Sequence, residues 1–336
     1  MKRSLACFLF IIISLNAYNQ VIGGTVLNNK DKKPIEGASV FFNGTFIGAY
    51  TDQEGHFKLD VSKNKNMPLT VSAMGFYSVS LTQFSSGKPI FVYMVPRVFE
   101  LSEVVISDKD LSKIRKRNLR IFKDEFLGTT FNAVQSKIIN EEDIKFVYNL
   151  KSDTVMAYSS NPIIVENNAL GYKITYFLDE FEYDKRRRLT FFAGNILFNE
   201  DLTLSDEQKR NFEKKRELAY NGSRMHFFRA LWADDLDSSG FMVRNNSGKL
   251  LSYSDLVTEE DSSLKYFHYD SDLIIYYKSA ESSGEISFIE DEVYFDQNGY
   301  FNPRGIQWSG LISDFRIADW LPYEYALDKK TRGSVH

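Results

Sequence analysis

Cysteine is almost missing: the chain of 336 residues holds one, Cys7. Disulfide scaffolds and cysteine-ligated zinc are excluded together. Proline is scarce at 7 and glycine numbers 19, which rules out collagen-like and low-complexity chains. There is no basic excess, since 41 Lys and Arg stand against 45 Asp and Glu. Nucleic-acid binding, which draws its affinity from neutralising phosphates, is therefore not expected. Beyond Leu15 no apolar run approaches the ~20 residues of a membrane-spanning helix. The four histidines are His56, His226, His268 and His336, and none has Glu at the third following position. HExxH, G-x-S-x-G, P-loop and G-x-G-x-x-G patterns are missing as well. No catalytic residue, metal ligand or cofactor is assigned.

Aromatics, by contrast, reach 15%, with 28 Phe and 19 Tyr. Such rings favour a pleated, half-buried surface, so a mainly β chain is expected. Residues 1–20 read as a secretory signal peptide, with Lys2 and Arg3 ahead of an apolar run from Leu5 to Leu15. Cys7 lies inside that run rather than after it, so no lipid-attachment cysteine is expected. Export to the periplasm, or loose association with the outer membrane, follows as an expectation, with no transmembrane segment after cleavage. The run Lys185-Arg186-Arg187-Arg188 reads as a solvated turn between two aromatic strands.

From Val21 to Pro96, short strands alternate with turn residues. Phe57, Leu59 and Val61 fall on one face, and Leu69, Val71 and Ala73 alternate with Thr70 and Ser72. Asn43-Gly44, Asp52 to Gly55 and Ser86-Gly87 mark turns. Six or seven strands in this span predict a small antiparallel sandwich. The strings V-I-G-G-T-V, P-I-E-G-A-S-V-F-F-N-G-T (34–45) and I-G-A-Y-T-D-Q-E-G-H-F-K-L (47–59) resemble the carboxypeptidase-like regulatory domain. That resemblance implies a transthyretin-like sandwich of the kind common in exported Bacteroidetes proteins. In it Pro34 and Gly37 shape a turn, Ala38, Val40 and Phe42 line the core, and Asp52 with Gly55 closes a hairpin. F-E-L-S-E-V-V-I-S at 99–107 is similar to the segment that follows this domain in TonB-dependent receptors, although no room for a plug and barrel follows.

Past residue 110 the organisation changes. Ser107 or Asp108 can cap a helix that carries Leu119, Phe122 and Phe126 to a stop at Gly128. Strands follow at 144–150, 154–160 and within 163–183. A helical insertion at 205–235 opens on a capping pair, Ser205 and Gln208, and sets Met225, Phe228 and Trp232 on one face with His226, Arg229 and Ala233 on the other. Further strands are expected at 264–269, 273–278, 285–289 and 293–296. Four blocks, at 118–129, 164–174, 216–231 and 316–325, resemble those that accompany the sandwich in a family of exported Bacteroidetes proteins, which implies an architecture rather than an activity.

The expected fold class is mainly β: an N-terminal transthyretin-like β-sandwich followed by a larger β-rich α+β domain with a helical insertion. The expected domains are a signal peptide at 1–20, the sandwich at 21–96, a linker at 97–110 and the second domain at 111–330, with helices near 109–127 and 205–235. Polar groups in the blocks define two candidate ligand-binding clusters. Glu166, Asn167 and Asn168 with Tyr172 offer donors and acceptors to a sugar or peptide. Their alternative role is a strand-joining turn. Tyr220, Ser223, Arg224 and His226 stand at a helix start where backbone donors converge, with helix capping as the alternative. Trp320, Tyr323 and Tyr325 read either as an aromatic platform or as a terminal segment docked by its rings. The function expected is a non-catalytic envelope protein that binds a glycan or an outer-membrane or periplasmic protein partner. The alternative is a carbohydrate-active hydrolase that uses an acid pair in the second domain.

Overall fold

Seven strands occupy residues 21–94: β1 (Val21–Asn28), β2 (Ser39–Phe42), β3 (Gly48–Tyr50), β4 (His56–Asp60), β5 (Leu69–Ser72), β6 (Val79–Leu81) and β7 (Ile90–Met94). The computed structural model describes residues 20–327 apart from 63, 65–66, 86, 98–107, 150–152, 203–204, 260–264 and 279–281. The expected signal peptide and nearly all of the linker, Ser107 included, lie outside the described residues. The strands form an outer sheet in the order β4-β1-β7 and an inner sheet in the order β3-β2-β5-β6. Val26, Val40, Phe42, Leu69, Val71 and Met94 are fully buried between them.

Two features depart from the sequence reading. β1 and β7 pair in parallel, Thr25 beside Phe91 and Leu27 beside Tyr93, so the sandwich is not wholly antiparallel. The turn at Asp52 to Gly55 closes no hairpin, because it carries the chain from β3 in one sheet to β4 in the other. Asp52 still organises that turn: its carboxylate accepts from the His56 N–H at 2.7 Å, and its carbonyl accepts from Gly55.

Every residue of β2 and β5 is buried, Thr70 and Ser72 included. Alternation predicts one wet face, but the inner sheet has protein on both sides, as a continuous run such as Ser39-Val40-Phe41-Phe42 requires. The layer beyond it begins with α1 (Asp108–Phe126), α2 (Phe131–Val134), β8 (Ser136–Ile138), β9 (Ile144–Asn149), β10 (Thr154–Ser159), β11 (Ile163–Asn167), β12 (Tyr172–Asp184) and β13 (Leu189–Asp201). β8 to β13 make one six-stranded sheet dominated by the β12–β13 hairpin. Its turn holds Arg186, Arg187 and Arg188, all exposed. α1 lays Phe122 and Phe126, stacked at 4.9 Å, onto this sheet and stops at Gly128, whose φ is +96°.

The rest comprises α3 (Asp206–Tyr220), α4 (Arg224–Trp232), β14 (Phe241–Asn245), α5 (Tyr253–Leu256), β15 (Val257–Glu259), β16 (Lys265–Phe267), β17 (Leu273–Tyr277), β18 (Ser282–Phe288), β19 (Val293–Phe295) and β20 (Ile306–Ser309). The described residues are mostly β, 40% strand against 21% helix. Region 111–327 contains two cores. One joins α1, the large sheet, Ala219, Tyr220 and the segment 317–325; the other gathers Phe227, Phe228 and Leu231 with the strands after β13. The helical insertion bridges them. Accordingly α4 has no wet face opposite Phe228: His226 is 8% exposed, and Arg229 donates to the carbonyls of Asn298, Tyr323 and Tyr325.

Candidate functional site

All four blocks singled out in the sequence meet at one place, the segment 315–325, which includes a 3-10 turn at Ile317–Asp319. Leu127, in the first block, accepts from the Ala318 N–H at 3.2 Å. Asn167, in the second, donates to the Ala318 carbonyl at 2.8 Å. Arg224, in the third, donates to the Phe315 carbonyl at 2.7 Å, and Tyr220 packs its ring 5.6 Å from Tyr325. The sandwich joins as well, through Tyr323 N–H to the Gly44 carbonyl at 2.8 Å and Phe46 N–H to the Glu324 carboxylate at 2.9 Å. Residues 315–325 thus act as a strap that ties the inner side of the sandwich, the large sheet and the helical insertion together.

The predicted ligand-binding residues divide around this strap. Asn167 is fully buried, and its Oδ1 accepts from the N–H groups of Ala169 and Leu170 at 3.1 and 3.0 Å. It closes the β11–β12 turn, which also needs Gly171 at φ +75°. Asn168 is exposed at that turn, and Glu166 stands between Lys137 and Lys173 in the register of the large sheet. Tyr172 is a core residue, edge-on to Phe198 and capped by the Arg216 guanidinium 4.1 Å from its ring centre. Ser223 caps α4 by accepting from the His226 N–H, and His226 Nδ1 accepts from the Gly222 N–H at 3.1 Å. Arg224 lies against Trp308 and Trp320, its pKa lowered to about 10 by burial and by the neighbouring Arg316. Trp320, Tyr323 and Tyr325 dock by their rings. Tyr323 meets Tyr300 at 5.7 Å, and Tyr300, whose hydroxyl burial pushes up to about 12, belongs to the core of the sandwich.

Two further places carry chemistry. A narrow polar cleft separates the inner sheet from the large one, lined by Ser72, Ser78, Arg97, Ser159, Asn161 and Asp179 among others. Asp179 occupies a β-bulge, because Leu178 pairs with Gly194 and Glu180 with Ala193, which leaves Asp179 without a register partner. A bulge re-aims the extra side chain. Its carboxylate accepts from Ser78 of the sandwich at 3.4 Å and from Asn195 at 3.3 Å. Arg97 donates to the carbonyls of Leu178 and Asp179. Burial pushes the Asp179 carboxyl above the ordinary carboxylate range, against the opposing pull of Arg97. The residues lining the cleft include one carboxylate. Burial also raises Asp296 and Asp319, which accept respectively from Asn298 with the Tyr300 N–H, and from Thr130 with Asn132. Among the described residues no group of three His, Cys, Asp or Glu could hold a metal.

The second place is the outer sheet. Phe91, Tyr93 and Val95 are 57%, 45% and 49% exposed on its far face, beside Thr25 and Leu27. Lys32 lies over the Tyr93 ring at 4.4 Å. Among the described residues this face is open to solvent.

The fold is an N-terminal β-sandwich set on a larger β-rich body. More narrowly, residues 22–106 match the family described as CarboxypepD_reg-like domain, and the N-terminal sandwich is such a domain. No curated protein matches the chain. Among solved structures, a 9R-lipoxygenase from Cyanothece PCC8801 is similar at 9% identity over 64% of this chain and 48% of that one, with a TM-score of 0.16. Nothing is carried over at that level.

Proposed function

We propose that this is a non-catalytic protein of the cell envelope that acts as an interaction module for a glycan or for an outer-membrane or periplasmic protein. The observation that carries the reading is the division of labour in the sandwich. Its inner sheet is committed to the second region through Phe41, which is fully buried and stacks on Phe177 at 5.2 Å, while its outer sheet turns an aromatic row to solvent. A rigid frame with one committed and one open face suits recognition. Glycoside hydrolysis uses two carboxylates about 5 to 9.5 Å apart. The polar cleft supplies Asp179 alone, and the open hollow beside β18 and β20, which holds Glu285 and Asp314, leaves both carboxylates exposed with no aromatic side chain in its lining, so the interaction reading is preferred to the hydrolase alternative.

The test is to offer the purified protein an envelope polysaccharide panel and cross-linkable envelope proteins while product release is followed. Saturable binding without product is expected, and turnover on any member would overturn the reading. Fractionation checks the place: recovery with the periplasm or outer membrane is expected, and recovery in the cytoplasm alone would refute export.

A further inference from the structure

We infer that the free edge of β7 accepts an extended acidic segment of a protein partner, which adds a fourth strand to the outer sheet. The inference rests on the interaction-module reading and narrows it to one edge and one class of ligand. The sandwich is lopsided, with three strands in the outer sheet facing four in the inner one. Its shortfall is at β7, which pairs with β1 and with no other strand among the described residues. The apolar side chains along that side are correspondingly underburied: Val79, Leu81, Phe84 and Ile90 pack on the core yet remain partly exposed. A fourth strand would cover them.

The main chain is suitably disposed. Met94 accepts from the Asn29 N–H on the β1 side at 2.8 Å, whereas Val95 accepts from the Tyr77 N–H on the opposite side at 3.0 Å. Because backbone groups alternate along a strand, the N–H and C=O of Phe91 and Tyr93 point away from β1, to the open edge. Past that point the edge is closed by the bond from Arg97 N–H to the Gly75 carbonyl. Two residues therefore present paired donors and acceptors, the arrangement used when a peptide is bound by strand addition.

Charge selects the ligand. Residues 20–97 carry eight Lys and Arg against five Asp and Glu, while residues 98–336 carry 31 against 40. The sandwich is the basic end of an acidic molecule. Lys88 precedes β7, Lys32 lies on Tyr93, and Lys58 crosses the same outer face over Gly23. A glycan platform is less well matched, because Phe91 and Val95 offer no polar atom to hydroxyls.

The experiment uses the purified protein, labelled with 15N, and a blocked octapeptide that alternates valine with glutamate. In the free protein the amides of Phe91 and Tyr93 should exchange at least about tenfold faster than that of Val92, whose bonds face β1. Slow exchange at both would mean that the edge is already occupied and would overturn the inference. The glutamate peptide should slow both amides and shift the resonances of Val79 and Leu81. Tyr93→Pro removes one outward donor at an edge position that tolerates proline and should weaken binding about tenfold. Should that variant fail to fold, the pair Lys32→Glu and Lys88→Glu serves instead: preference should invert toward the same peptide with lysine for glutamate, by about fivefold or more. Glutamate-peptide binding that survives the charge reversal, or an acidic polysaccharide that shifts the Tyr93 ring without protecting its amide, refutes strand addition. Failure here with a retained cross-linked partner leaves the module reading standing; turnover on a polysaccharide removes that reading instead.

Discussion

Asn167 shows how a side chain that reads as a ligand-binding amide is used by the fold. It holds three backbone groups at once, Ala169 N–H, Leu170 N–H and the Ala318 carbonyl, in a fully buried position. Deleting the amide leaves those groups unpaired away from water, so Asn167→Ala should cost about 2–4 kcal/mol. Denaturant melts would show it; a change within about 0.5 kcal/mol would mean the turn does not depend on this residue. Asp179 gives a prediction of the opposite sign. Its carboxyl is raised in the folded state by burial, so the native protein holds the proton more tightly than the unfolded chain does. Stability from this group is therefore full below the ordinary carboxylate pKa of about 3.9 and is lost as pH rises through the folded value. Asp179→Asn should stabilise at pH 7 and gain little or nothing at pH 4. Equal effects at both pH values would refute the assignment. Asp296 and Asp319 are raised for the same reason and leave part of the wild-type pH slope in the variant.

At the scale of the element, the long hairpin of β12 and β13 shows what periodicity conveys. Ile174, Tyr176 and Leu178 keep the two-residue period, but the next buried side chain is Phe181, three residues on. That slip of phase is the bulge at Asp179, legible in the sequence once the count is carried one residue further. Its counterpart is Gly194, where a Cβ would stand 2.3 Å from the Phe177 carbonyl and 2.6 Å from the Tyr176 ring. Gly194→Ala should destabilise by about 2–3 kcal/mol and shift the Asp179 environment, which melting together with NMR of the Asn195 side chain would register. An unchanged melt would show that the hairpin closes without the close approach. The sandwich strands, α1 and its glycine stop, and the two helices of the insertion were equally legible, because each rests on local period and capping. β8, β14, β15 and β20, runs of three to five residues, were not read from the sequence. The burial of Thr70 and Ser72 was hidden because a second protein layer over a sheet leaves no mark on that sheet's own alternation. Nor could spacing reveal the strap, whose hydrogen-bond partners elsewhere in the chain lie between about 90 and 280 residues away.

At the scale of the molecule, the question is whether sandwich and body unfold together. The sequence alone leads one to expect a sandwich that folds and melts independently of residues 111–330, with first proteolysis between Pro96 and Leu111. The contacts argue for coupling. The Asn43-Gly44 turn is held by the edge of β13, through Gly44 N–H to the Ile196 carbonyl at 2.7 Å and Phe198 N–H to the Thr45 carbonyl at 2.9 Å. On the other side it is held by Tyr323 of the strap, and Tyr300 completes the sandwich core from β19's loop. Separation would expose Phe41, Leu197 and Tyr300, each worth roughly 1.5–3 kcal/mol when buried, so one cooperative transition is expected. Gly44→Ala tests the joint directly. Its φ is +79°, and a Cβ there would meet the Tyr323 ring at 2.4 Å, so neither the backbone nor the neighbour accommodates it. The variant should split the single melt into two, with the sandwich unfolding first, and should turn residues near 43–47 into an early site of proteolysis. Two transitions already present in the unaltered protein, or one transition retained in Gly44→Ala, would show that the turn does not bind the layers together.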